Sequence, residues 1–167
     1  MTFDFIYRYV IQKTKTPLIL NENYYLVTMK RILYISTILY ILLTSITYSE
    51  VIEVSNSQLK SLLENNVPII DIRREEEWKA TGIIENSILM TFFDKNGKPN
   101  TSDWLNKLNQ IASKKDPIVL ICRTGRRTGI VAKFLSEKLG YKSIYDVTDG
   151  ITEWLKEGNS VVKPIIN

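Results

Sequence analysis

The segment Pro117 to Cys122 (PIVLIC) constrains the fold of this 167-residue chain more than any other stretch. Its residues carry no charged or strongly polar side chain, and no alternation of apolar with polar positions is visible. A strand with one wet face shows a two-residue alternation, so this one reads as buried on both faces. Both faces are covered only when helices lie on each side of a mostly parallel sheet, which predicts an α/β fold.

The pattern from Glu50 onward agrees. Short β-rich runs at Val51 to Val54, Val67 to Ile72, Ile88 to Phe92 and Ser143 to Val147 predict further strands. Between them lie stretches with helical spacing. One is capped by Ser55 or Ser57 and carries Leu59, Leu62 and Leu63; a short charged one covers Arg73 to Ala80. Ser102 to Ser113 places Trp104, Leu105, Leu108 and Ile111 on one side. Arg126 to Leu139 turns Ile130, Val131, Phe134, Leu135 and Leu139 to the core, with Gly140 at the C-cap position. Ile151 to Glu157 forms a last helix, ended by Gly158. Trp78, Trp104 and Trp154 sit at helical core positions and read as packing, whereas Glu75-Glu76-Glu77 reads as a solvated face.

The N-terminal part is of another kind. Met29-Lys30-Arg31 precedes the apolar run Ile32 to Ile46, and Thr47 and Ser49 offer small residues ahead of Glu50. A basic start, an apolar middle and small residues at a cut are the parts of a secretory signal. The run is short for a span, which needs about 20 apolar residues. The expectation is a signal peptide or N-terminal membrane anchor over residues 29–49, delivering a domain of residues 50–167 to the periplasm or cell envelope. Residues 1–28, with scattered aromatics such as Phe3, Tyr7 and Tyr25, read as an upstream extension or disordered leader.

Charge and composition remove several function classes. Of 22 basic and 18 acidic residues, five basic (Arg8, Lys13, Lys15, Lys30, Arg31) and two acidic (Asp4, Glu22) precede Glu50, leaving 17 against 16. Most of the net charge of +4 therefore lies before Glu50, the rest of the chain is nearly neutral, and nucleic-acid binding loses its main electrostatic case. With no histidine, Ser-His-Asp and Cys-His catalysis are excluded and the usual zinc sites disfavoured. No metal or other cofactor is expected. The single cysteine, Cys122, forms no internal disulfide and gives thiol chemistry one centre.

Cys122 opens the loop Cys122-Arg123-Thr124-Gly125-Arg126-Arg127-Thr128, between the buried strand and a helix. In open α/β sheets, ligands bind at the carboxyl ends of strands. A tight loop entering a helix gathers backbone N–H groups around one point, with the helix dipole behind them. Such a cradle favours thiolate over thiol and would hold the outer sulfur of a persulfide. Arg123, Arg126 and Arg127 add positive charge for an oxyanion, Gly125 admits an unusual backbone conformation, and Thr124 and Thr128 offer hydroxyl donors. A lone cysteine after an apolar strand is commonly just a small buried hydrophobe. Arginines beginning a helix, at the positive end of its dipole, count against that reading.

The loop resembles that of the rhodanese family, whose six-residue active-site loop starts with cysteine, often Cys-Arg-x-Gly-x-Arg and then Ser or Thr. Cys122 to Arg127 followed by Thr128 matches it without a gap. Upstream, Ile70-Asp71-Ile72-Arg73 and Glu77-Trp78 are similar to the family's Asp-x-Arg strand and Glu-aromatic pair. Downstream, Val147 to Trp154 is similar to its valine, glycine pair and tryptophan. Two segments depart from the pattern. Gly82-Ile83-Ile84-Glu85-Asn86-Ser87 stands where the family often has Gly-His-Ile-Pro-Gly-Ala, and Asp149-Gly150 replaces the glycine pair.

The resemblance implies a three-layer fold with a mostly parallel central sheet of about five strands flanked by helices. It implies a sulfurtransferase with Cys122 as nucleophile, the loop through Thr128 as substrate-binding, and Asp71 and Arg73 as structural support. The expected partners are a small anionic sulfur donor such as thiosulfate and a thiol or cyanide acceptor, with a membrane engaged only through an uncleaved N-terminal segment. The oligomeric state expected is monomer or dimer. A sulfur-relay or interaction module is the alternative. Related phosphatases and arsenate reductases use a Cys-x5-Arg loop, but residue 128 is Thr, so the shorter loop favours sulfur.

Overall fold

The structure, a computed structural model, describes residues 22–43 and 50–166. The chain divides into two units, Met1–Ile46 and Thr47–Asn167. Within the first, helix α1 covers Glu22–Leu43, and described apolar side chains such as Ile32, Leu33 and Ile35 are exposed. No helix among the described residues is long and apolar enough to cross a membrane. Thr47, Ser49 and residues 1–21 of the leader lie outside the described residues.

The second unit is a sheet between two layers of helices. Its strands are β1 (Glu50–Val54), β2 (Ile69–Asp71), β3 (Ile88–Leu89), β4 (Ile118–Ile121) and β5 (Ser143–Val147). All neighbours are parallel, in the order β1-β5-β4-β2-β3. The helices are α2 (Asn56–Glu64), α3 (Glu75–Thr81), α4 (Thr101–Ile111), α5 (Arg126–Leu139) and α6 (Gly150–Lys156).

Strand β4 is central, and every residue in it is buried. Ile118, Leu120 and Cys122 face the layer of α4 and α5 with Trp104, Leu108, Val131 and Leu135. Val119 and Ile121 face α2 and α6 with Leu59, Ile151 and Trp154. Each such aliphatic side chain contributes about 1.5–3 kcal/mol when taken from water, which is why the run tolerates no polar position. Ser55 caps α2 through a reciprocal box with Gln58. Strands β2, β3 and β4 are shorter than the apolar runs that contain them: β3 ends at Leu89, although Met90 N and Phe92 N still donate to the Asp71 and Ile72 carbonyls at 3.0 and 3.3 Å.

Two departures from the family pattern have a local explanation. Asn86 stands at the pattern's second glycine and takes φ 62°, a left-handed conformation that asparagine adopts more readily than other side chains. Asp149 has φ −96° and needs no glycine, while Gly150 has φ 62° and does.

Candidate functional site

The site lies where the carboxyl ends of β2, β4 and β5 meet the start of α5. Cys122 follows β4 directly, is a free thiol, and is 1% exposed. Its carbonyl accepts from Ile151 N at 2.9 Å, and the Arg123 carbonyl accepts from Thr152 N at 3.1 Å and Thr152 Oγ1 at 2.8 Å. The first turn of α6 thus clamps the backbone on either side of the sulfur. At Gly150 a Cβ would stand 2.5 Å from the Arg123 carbonyl oxygen, so only glycine allows this approach.

Gly125 turns the chain into α5 with φ 78°, and a Cβ there would stand 1.6 Å from the Thr148 carbonyl oxygen. It supplies no side-chain cap, which leaves N–H groups of the first turn of α5 for an anion. Thr128, buried in that turn, places Oγ1 3.7 Å from Cys122 Sγ and donates to the Gly125 carbonyl at 2.7 Å. Arg123, Thr124 and Arg126 are exposed on the rim.

Arg127 is held differently. Its Nη1 and Nη2 donate to the two carboxylate oxygens of Glu77 at 2.8 and 2.6 Å, a two-pronged pair in which both side chains are largely buried. The Glu77 pair raises the pKa of Arg127 against the effect of burial, and the Cys122 sulfur adds to the rise. Burial pushes the Glu77 carboxyl up, but hydrogen bonds from Arg127 and from the Arg74 backbone outweigh it and hold it below the ordinary glutamate range. The reading of Glu75–Glu77 as a solvated face is therefore corrected: Glu75 and Glu76 are exposed, but Glu77 turns inward. The physical reason is that the third residue of α3 faces the loop, where an unpaired guanidinium would be costly.

Asp71 and Arg73 stand below this layer, both essentially sealed from water. Arg73 Nη2 meets Asp71 Oδ2 at 2.6 Å and donates to the Gly82 carbonyl at 2.9 Å, while Nη1 donates to Thr81 Oγ1 at 2.7 Å. The guanidinium ties the end of β2 to the end of α3, which carries Glu77 on its opposite end. Neither residue lines the cleft.

A cleft of about 520 Å³ opens over the loop. Arg74, Lys95, Arg123, Arg126 and Arg127 line it, with Glu77 and Asp94 as its acidic members and Phe93 and Ile130 on its apolar side. Ile130 corrects a second expectation: it is 57% exposed and does not face the core. It sits one turn after Arg126 and shares the rim, so the apolar stripe of α5 starts at Val131. Phe93, Asp94, Lys95 and Arg74 were not expected at the site, because contacts between distant loops leave no periodic signal. Among the described residues no group of three or more acidic or cysteine side chains could hold a metal ion.

The model of the Rhodanese-like domain family matches residues 55–157. The uncharacterized protein RP600 of Rickettsia prowazekii is 36% identical over 102 residues, 59% of this chain and 76% of that protein. Thiosulfate sulfurtransferase 18 of Arabidopsis thaliana is 24% identical over 111 residues, 64% of this chain and 79% of its own length. Among solved structures, the polysulfide-sulfur transferase homodimer of Wolinella succinogenes superimposes with a TM-score of 0.53 at 26% identity, covering 67% of this chain and 78% of that one.

Proposed function

Since the chain belongs to the rhodanese-like domain family, we propose that it is a sulfurtransferase in which Cys122 carries a sulfur atom as a persulfide. The observation that carries this reading is the buried free thiol at the carboxyl end of β4, opening a six-residue loop into the uncapped start of α5. Two similar proteins named for sulfur transfer, from Arabidopsis thaliana and Wolinella succinogenes, add support.

In the proposed cycle, the Cys122 thiolate attacks the outer sulfur of a donor such as thiosulfate. The donor's sulfur–sulfur bond breaks, sulfite leaves with the bonding electron pair, and Cys122 holds the persulfide. Arg123 and Arg126 hold the anionic donor at the rim, and the first-turn N–H groups of α5 hold the outer sulfur anion. A thiolate or cyanide acceptor then attacks that outer sulfur and regenerates the Cys122 thiolate. Two displacements on one nucleophile give ping-pong kinetics.

Cys122→Ser is expected to abolish transfer from thiosulfate to cyanide and to remove the gain of one sulfur atom seen by mass spectrometry after donor treatment. Transfer that persists in this variant overturns the reading. Stable persulfidation without turnover by any thiol acceptor identifies a sulfur relay instead. A phosphatase loop would need arginine at position 128, where Thr128 is buried against the sulfur.

The N-terminal segment completes the proposal. Residues 29–49 act as a signal peptide or anchor that delivers the domain to the periplasm or cell envelope, on the strength of Lys30-Arg31 followed by the apolar run. N-terminal sequencing of the protein recovered from cell fractions tests this. A start near Glu50 in the envelope fraction is expected for a cleaved signal; full-length protein in the cytosol rules the proposal out.

A further inference from the structure

Asp146 lies behind the thiol loop and takes no part in the transfer steps above. It is 4% exposed, and its Oδ1 has no hydrogen-bond partner among the described residues. A Cβ at Gly129 would stand 3.5 Å from its Oδ2, so the carboxyl rests against the first turn of α5. The Thr128 hydroxyl is close enough to stabilise its charged form. That same hydroxyl approaches Cys122 Sγ at 3.7 Å and donates to the Gly125 carbonyl at 2.7 Å.

A hydroxyl has one proton to donate and two lone pairs to accept with. Three acceptors surround this one: the Gly125 carbonyl, a sulfur anion on Cys122, and an ionised Asp146. They cannot all be served, and the Asp146 proton decides the competition.

We propose that Asp146 is a positioning residue that acts on Cys122 through Thr128: protonated, its carboxyl donates to Thr128 Oγ1, and the Thr128 hydroxyl turns its own proton to the sulfur anion. Ionised, Asp146 takes the Thr128 proton for itself and sets a second negative charge behind the sulfur. The surroundings favour the protonated state. Burial pushes the Asp146 carboxyl up, Thr128 opposes, and the charge of Glu53 adds to the rise. Glu53 faces it in register from β1, β4 presents Leu120, and α5 presents Thr128 and Gly129, so these neighbours include no cation. As pH rises and Asp146 ionises, the anionic sulfur loses its hydroxyl donor.

The inference rests on the reading of Cys122 as an anionic sulfur nucleophile, but its test needs no sulfur donor. Alkylation by iodoacetamide requires the thiolate, and Cys122 is the chain's single cysteine, so the rate against pH reports on this site alone. Asp146→Asn keeps a neutral donor to Thr128, whereas Asp146→Leu removes it. Asp146→Asn should alkylate about tenfold faster than Asp146→Leu below the midpoint, a gap of about one pH unit. The native protein should follow Asp146→Asn on the acid side and fall below it as pH rises. With Thr128→Val added, the gap between the two Asp146 variants should close.

Coincident profiles for Asp146→Asn and Asp146→Leu overturn the proposal. So does a gap that survives Thr128→Val, which would leave Asp146 acting without the hydroxyl. Circular dichroism identifies an unfolded variant, and Asp146→Val serves as the second apolar replacement. Absence of sulfur transfer by the native protein would refute the proposed function and leave this comparison intact.

Discussion

Glu77 and Arg127 show how one contact joins the chemistry to the frame. Arg127 ends the six-residue loop, and the two-pronged pair fixes its plane while leaving its charge near the sulfur. Glu77→Ala would leave a largely buried guanidinium unpaired, and we expect it to cost about 1–3 kcal/mol in thermal or urea unfolding. Glu77→Gln retains one neutral acceptor and should lose less. The Glu77 carboxyl is held below its ordinary range, so its contribution to stability is fully present above the unfolded-state value and disappears as pH falls through the depressed folded value. Urea unfolding at a series of acid pH values should therefore show a smaller acid-dependent loss in Glu77→Gln than in the native protein. Gly125 is constrained more harshly still, because a Cβ would overlap the Thr148 carbonyl. Gly125→Ala should displace the loop, cost about 2–4 kcal/mol, and abolish sulfur transfer even where the protein still folds.

At the scale of elements, α5 carries two separate jobs on its two sides. Val131, Ala132 and Leu135 pack on the sheet, while Arg126, Arg127 and Ile130 border the cleft. Ile130 and Phe93 also border a second, mainly apolar cavity of about 250 Å³ with Pro99 and Phe134. Ile130→Ser should consequently change stability by about 0.5 kcal/mol or less, as an exposed substitution does. Its effect should appear in the KM for bulky thiol acceptors, with cyanide turnover unaltered. Equal losses for cyanide and bulky thiols in steady-state kinetics would count against an acceptor role for this rim. Val131→Ala, one residue along, should instead destabilise by about 1–3 kcal/mol, because its side chain is wholly buried.

On the scale of the whole molecule, the parallel order β1-β5-β4-β2-β3 sets the site. It brings the ends of β2, β4 and β5 together from positions far apart in the chain. The unit from Thr47 onward holds both core clusters. Removal of residues 1–46 should leave a single cooperative unfolding transition at an unchanged midpoint, measured by circular dichroism. A fall in midpoint of more than a few degrees would show that the domain draws stability from residues 1–46.

What the amino-acid order determined by itself is the central strand and the thiol. An apolar run without alternation, as at Ile118–Ile121, has only a doubly covered parallel sheet to enter, and the helices announce themselves through their spacing. The loop from Cys122 to Thr128 is likewise legible, because its residues are contiguous and its length is countable. Tertiary structure alone decided which groups surround it. Glu77 is an exposed acid by its local run and becomes the partner of Arg127 through a contact spanning 50 residues of chain. Ile130 looks like a core residue by helical spacing, yet it is exposed on the rim of the cleft. Asp146 is a single acid in an apolar strand, and only the packing of β5 under α5 sets it behind Thr128. Periodicity reports which face of an element is apolar, whereas charge pairing and burial depend on what another element brings opposite.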